Sequence, residues 1–159
     1  LDAMASSFVF WTRELVARDL LAPGARLLGL SNPMPEVVAE GTALIGAAKA
    51  ALEVYVRHLA RELGPRGVRV NLLKFGAVVT PAMARTLGGR LAALERALVD
   101  AIPAGRLITL EEVARLVRVL VAEEGAWFNG ATIDFTGGEP QGLYDAMIRA
   151  VLRAPEGAG

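Results

Sequence analysis

The chain has 159 residues, with 17 basic and 17 acidic side chains and a single histidine, so it carries no net field for holding a nucleic acid or an anionic membrane. It contains no cysteine, which excludes disulfides, thiolate metal ligands and a cysteine nucleophile; with no secretory signal pattern, a reducing cytoplasm is the expected setting. Its length fits one domain, and no uncharged apolar run reaches the roughly 18 residues that a membrane span needs. A small or apolar ligand is the expected partner. The chain opens at Leu1 inside a helical pattern, which suggests that further sequence precedes it. Its basic residues are nearly all arginine, the only lysines being Lys49 and Lys74.

In chain order, residues 3–20 predict a helix whose first half is apolar or small on every side, and so buried on more than one face. The run RLLGLS (26–31) predicts a strand covered on both faces, and NPMPEVVAEG after it a loop. Residues 42–63 predict a long helix stopped at Gly64 and Pro65. Its polar stripe is Lys49, Glu53, Arg57 and Arg61; its apolar surface, including Leu52 and Val56, is wide enough to suggest two partners, a sheet and another helix. VRVNLL (68–73) predicts a second buried strand, and KFGAVVTPAMA a connecting segment. A short amphipathic helix follows within 88–106, and Thr109 with Glu112 marks a capping box opening another. ATIDF (131–135) reads as a third strand, 143–153 as a final helix, and 154–159 as a frayed tail. Strands alternating with helices imply a parallel sheet with crossovers, an α/β layered fold.

Three segments, GAAKAALEVYVRHLARELGPRGVRVN, GAVVTPAMA and IPAGRLITLEEVARLVRVLVAEEGAWFNGATIDFTGG, closely resemble the carboxy-terminal half of a short-chain dehydrogenase/reductase. The step from Ser31 to Lys49, with Gly46 three residues before the lysine, looks most like the enoyl-acyl-carrier-protein reductase branch. AIPAGRL and WFNGATIDFTGGE are equally similar to dienoyl-CoA reductases. The resemblance implies a Rossmann-like doubly wound sheet of about seven strands, of which residues 1–159 supply the last three, with the glycine-rich dinucleotide turn in an absent amino-terminal half.

It also implies NAD(H) or NADP(H) as cofactor and an acyl-thioester or keto substrate. Homodimers or homotetramers would form through the helices at 3–20 and 42–63, and Leu52 and Val56 would belong to that assembly face. Lys49 matches the lysine that holds the nicotinamide ribose and lowers the pKa of a catalytic tyrosine. The tyrosine itself is missing: Ile45 stands where most members carry it, and Thr42 where enoyl reductases do. Asn32, with Ser31 beside it, falls at the substrate-polarising position. Gly76, Val78 and Thr80 fall where the family contacts the nicotinamide, with Phe75 in place of a proline. Thr42 remains a candidate hydroxyl, though a threonine there is otherwise an N-cap. Asn32 is otherwise a turn asparagine. His58, Tyr55 and Tyr144 point to no active site, and no metal-ligand cluster is present. Two readings stay open: an NAD(P)-linked reductase, or an inactive homologue serving as an assembly or cofactor-sensing subunit.

Overall fold

The computed structural model describes residues 2–153. After a π-helical turn at Asp2–Ser6 the elements are α1 (Ser7–Ala17), β1 (Arg26–Ser31), α2 (Ala43–Leu63), β2 (Arg69–Phe75), α3 (Pro81–Leu87), α4 (Leu91–Ala101), α5 (Leu110–Val121), β3 (Thr132–Phe135) and α6 (Glu139–Arg153). The three strands form one parallel sheet in the order β1-β2-β3. Ser31 lies beside Lys74, and Lys74 beside Asp134, so these three form a row at the carboxyl ends of the strands. Among the described residues the outer edge of β1 has no strand partner.

Alternation along β2 sorts the sheet into two faces, because successive side chains of a strand point to opposite sides. Val70 and Leu72 face a core built by α2 and the start of α1, where Ala5, Ala48, Leu52, Val56, Leu59 and Leu63 are buried. Leu73 faces the other side, against Val113 and Leu120 of α5 with Leu28, Phe75, Ile133 and Phe135 around them. Helices on both faces of a parallel sheet make this a doubly wound α/β arrangement. At burial of about 1.5–3 kcal/mol per large aliphatic side chain, this central strand is the strongest single contributor to the core.

The α2 face that meets the sheet is a single stripe, Ala48, Leu52, Val56, Leu59 and Leu63. Leu52 is 3 % exposed and Val56 fully buried, so both belong to the core rather than to an outer assembly face, and aspartate at either would unfold the sheet layer. The large apolar residues that α2 leaves bare are Leu44 and Val54. Nor is α1 buried on more than one face: Phe8, Val9 and Val16 pack inward, while Phe10 and Trp11 stand exposed.

Three local expectations need correction. The left-handed residue after α2 is Gly67, at φ 77°; Gly64 keeps helical torsions and opens a 3-10 turn, Gly64–Arg66, with Pro65 near its start. A proline tolerates the first turn of a helix because it has no N–H to lose there. The 74–84 segment is more than a connection: Thr80 caps α3, accepting from the Met83 N–H at 3.2 Å, and Pro81 is its first residue. The last helix begins at Glu139, not 143. The Thr109–Glu112 capping box is present in both directions, at 3.2 and 2.9 Å, and Arg106 grips the same carboxylate with both guanidinium nitrogens. The expected frayed tail at 154–159 lies outside the described residues. No helix among the described residues is long and apolar enough to cross a membrane.

Candidate active site

Open α/β sheets place ligands beyond the carboxyl ends of their strands. Here that end opens on a cleft of about 640 Å³, lined by the β1–α2 loop, the β2–α3 loop, Lys49 and the first turn of α6. Ser31, Asn32, Lys49, Gly76, Val78 and Thr80 all line it. Thr42 does not. Its hydroxyl donates to the Ala39 carbonyl at 2.7 Å in an exposed turn, and it makes no side-chain cap to α2. A second hollow of about 500 Å³ lies on the far side of Val78, against α4 and residues 105–111, and contains none of the strand-end residues or Lys49.

Lys49 follows Ala48 directly on α2, about 100° around the helix from the stripe that meets the sheet, and its Nζ donates to the Leu30 carbonyl at 3.5 Å, a long contact. Partial burial pushes its ammonium below the ordinary lysine value. Ser31 is buried, its hydroxyl reaching only the Asn32 carbonyl at 3.4 Å. The Asn32 side-chain oxygen accepts from the Met34 N–H at 3.4 Å, closing an Asx turn, and the residue lines the cleft. Thr80 spends one lone pair on its cap and keeps its O–H.

Residue patterns alone missed one buried acid at this site. Glu139, at the start of α6, is 6 % exposed and lines the cleft, accepting from the Ala77 N–H at 2.8 Å. A β-carbon on Gly76 would stand 2.6 Å from that carboxylate and 3.2 Å from the Thr136 carbonyl, so only glycine lets the two segments meet. The available signal was the turn glycines Gly137 and Gly138 directly before an acid at a helix start. Ile45 is half-buried in the first turn of α2, Tyr144 is mostly exposed on α6, and Tyr55 packs into the α2 core; no tyrosine lines the cleft. Among the described residues no group of acids and histidine could hold a metal ion.

A parallel sheet wrapped on both faces, with a cleft at the carboxyl ends of its strands, defines a Rossmann-like doubly wound α/β class of fold. The family described as enoyl-(acyl carrier protein) reductase matches residues 1–139. The chain belongs to the short-chain dehydrogenase/reductase family. It is 32% identical over 133 residues to the NADH-dependent enoyl-[acyl-carrier-protein] reductase FabI of Escherichia coli, a match covering 84% of this chain and 50% of that protein. Among solved structures, the enoyl-[acyl-carrier-protein] reductase (NADH) of Aquifex aeolicus superposes with a TM-score of 0.73 at 28% identity, over 86% of this chain and 52% of that one. A short-chain dehydrogenase of Burkholderia cenocepacia in complex with NADP gives 0.64 at 31% identity, over 75% of this chain and 47% of that one. The chain thus spans about half the length of these relatives.

Proposed function

We propose that this chain forms the substrate- and nicotinamide-facing half of an NAD(P)-dependent short-chain reductase acting on an acyl thioester or a keto compound. The observation that carries this reading is the convergence of Lys49, Ser31, Asn32, Gly76, Val78 and Thr80 on one cleft at the carboxyl ends of the strands. NADH is named for the Escherichia coli and Aquifex aeolicus relatives and NADP for the Burkholderia cenocepacia one, which supports either nucleotide here.

The residues present fit the nicotinamide end of such a cofactor. A partly desolvated ammonium beside a strand-end carbonyl suits a ribose, and the free Thr80 hydroxyl, with backbone at Gly76 and Val78, suits a carboxamide. When bound, the nicotinamide supplies hydride. The chain's own part is to orient the acceptor and relieve the charge that grows on its oxygen. The Asn32 amide and the Ser31 hydroxyl are the donors for that oxygen. Met34, Val37, Met83, Leu98 and Leu143 give the cleft apolar walls suited to an apolar substrate. The Lys49 ammonium favours the negative oxygen without itself being an efficient acid, and the proton that completes the reduction comes from water.

A second reading rests on a specific observation. The cleft has no tyrosine, Ile45 cannot donate a proton, and Thr42 is bonded away from it. The chain would then bind nucleotide without turnover, as an assembly or sensing subunit. Titrating the intact assembly with NADH and NADPH by fluorescence, then assaying enoyl and ketoacyl thioesters, separates the two. Binding with turnover supports the first reading, binding alone the second, and no binding removes both. Self-association into dimers or tetramers is part of the proposal, and Phe10, Trp11, Leu44 and Val54 are the bare apolar side chains of α1 and α2 available for it. Val54→Asp is expected to lower the sedimentation coefficient of the assembly while leaving far-UV dichroism unchanged.

A further inference from the structure

The second of the two lysines has no part in the chemistry above. Lys74 ends the central strand, only 8% of its side chain exposed, and it carries two ion pairs: one to Asp134 on β3 at 2.8 Å, and one to Glu36 in the β1–α2 loop. A buried ammonium is costly unless it is paired, and neither neighbouring strand end supplies a second carboxylate: the residue beside Lys74 on β1 is Ser31. The loop supplies it. Burial alone would pull the ammonium below its ordinary value, yet hydrogen bonds and charge from Asp134 and Glu36 outweigh this and raise it, so it stays charged throughout the neutral range.

Glu36 is a leverage point. Its N–H donates to the Pro33 carbonyl at 2.9 Å, so residues 33–36 turn as a unit, and the cleft-lining Pro33, Met34 and Val37 flank the anchored side chain. Beyond it the loop has little hold before α2: Val38 is almost wholly exposed, and residues 39–42 bond among themselves and, through the Thr42 carbonyl, to the Gly46 N–H at 2.9 Å where α2 begins. Its other attachment is close packing of the Met34 carbonyl on Gly46 of α2, where a β-carbon would sit 3.3 Å away.

We propose that Lys74 is a positioning residue that sets the substrate-side wall of the cleft: through Glu36 it fixes Pro33, Met34 and Val37, and so the width available to the acyl or keto group. The substrate part of this rests on the proposed reductase reading; the tether does not.

The test uses the full chain and the variants Glu36→Gln, Lys74→Met and Lys74→Arg. Hydrogen exchange at the Met34 and Glu36 amides is expected to quicken about tenfold in Glu36→Gln and in Lys74→Met, and to keep its protection in Lys74→Arg, because breaking a hydrogen-bonded charge pair costs about that much or more. Exchange in β2 stays unchanged in Glu36→Gln, which separates a freed loop from general unfolding. With crotonyl-coenzyme A as probe, KM rises about tenfold in Glu36→Gln while kcat stays within about twofold and NADH affinity is unaltered. Unchanged exchange in Glu36→Gln overturns the tether, and faster exchange with unchanged KM overturns its role in the cleft. If the unmodified chain binds no nucleotide, the reductase reading fails, and the exchange measurement still decides whether the tether exists.

Discussion

The wall contributed by residues 32–41 hangs on one long-range side-chain tether, Glu36 to Lys74, plus a packing contact at Gly46. The wall contributed by residues 76–80 is held at its backbone: the Glu139 carboxylate accepts from the Ala77 N–H, the Thr80 hydroxyl accepts from the Met83 N–H, and Gly76 is pressed against Glu139 and the Thr136 carbonyl. A charge tether can be cut by removing one carboxylate at small cost to the rest of the fold, since Glu36 itself is exposed. Removing the buried Glu139 carboxylate, by contrast, leaves the Ala77 N–H without its acceptor two residues beyond the end of the central strand. One wall is therefore suited to adapt to what enters, and the other to hold a constant partner.

The largest expected effect sits between the walls. Lys49→Met removes the sole cation of the cleft and is expected to lower kcat/KM for a thioester substrate by about a hundredfold or more, measured at saturating nucleotide, with the melting temperature little changed. Next comes the rigid wall. Gly76→Ala would push a methyl group into the Glu139 carboxylate, costing about 1–3 kcal/mol in chemical denaturation. Glu139→Ala leaves the Ala77 N–H without its acceptor, at about 1–2 kcal/mol, whereas Glu139→Gln keeps a carbonyl oxygen and loses less. The two sites touch, so the double variant Gly76→Ala with Glu139→Ala should cost less than the sum of the singles. Full additivity would mean that the contact is not what couples them.

The smallest effect is at α5, behind the rigid wall. Hydrogen bonds from Arg106, then from Thr109, hold the Glu112 carboxyl down to about 2 from its ordinary 4.5. A lowered carboxyl pKa contributes stability that is complete above 4.5 and is lost as pH falls toward 2. Because the pair is at the surface, Glu112→Gln should flatten this acid limb only slightly in thermal unfolding followed between pH 5 and pH 2.

Local pattern carried much of this architecture. The apolar runs 26–31 and 68–73 became β1 and β2; β2 is covered on both faces as expected, whereas β1 leaves Leu30 half exposed, and the capping box at Thr109 needs only residues three apart. Thr80 followed by Pro81 was a legible helix start that the surrounding glycine and valines obscured. Which of the apolar positions on α2 meet the sheet was not legible, since Leu52, Val54 and Val56 are chemically alike and only the register against β2 buries the first and last. The cleft residues Lys49, Ser31, Asn32 and Thr80 were recognisable by family spacing. Glu36, Lys74 and Glu139 were not, because their partners lie 38, 60 and 62 residues away along the chain and no local pattern records such meetings.

The margin of β1 has a practical consequence. Among the described residues no strand lies beside its outer side from Arg26 to Ser31, and Leu30 stands half bare there, which makes it a template for an extended peptide. Preparations of this polypeptide by itself should gel or precipitate more readily as they are concentrated, and a complementary segment supplied in trans should keep them clear.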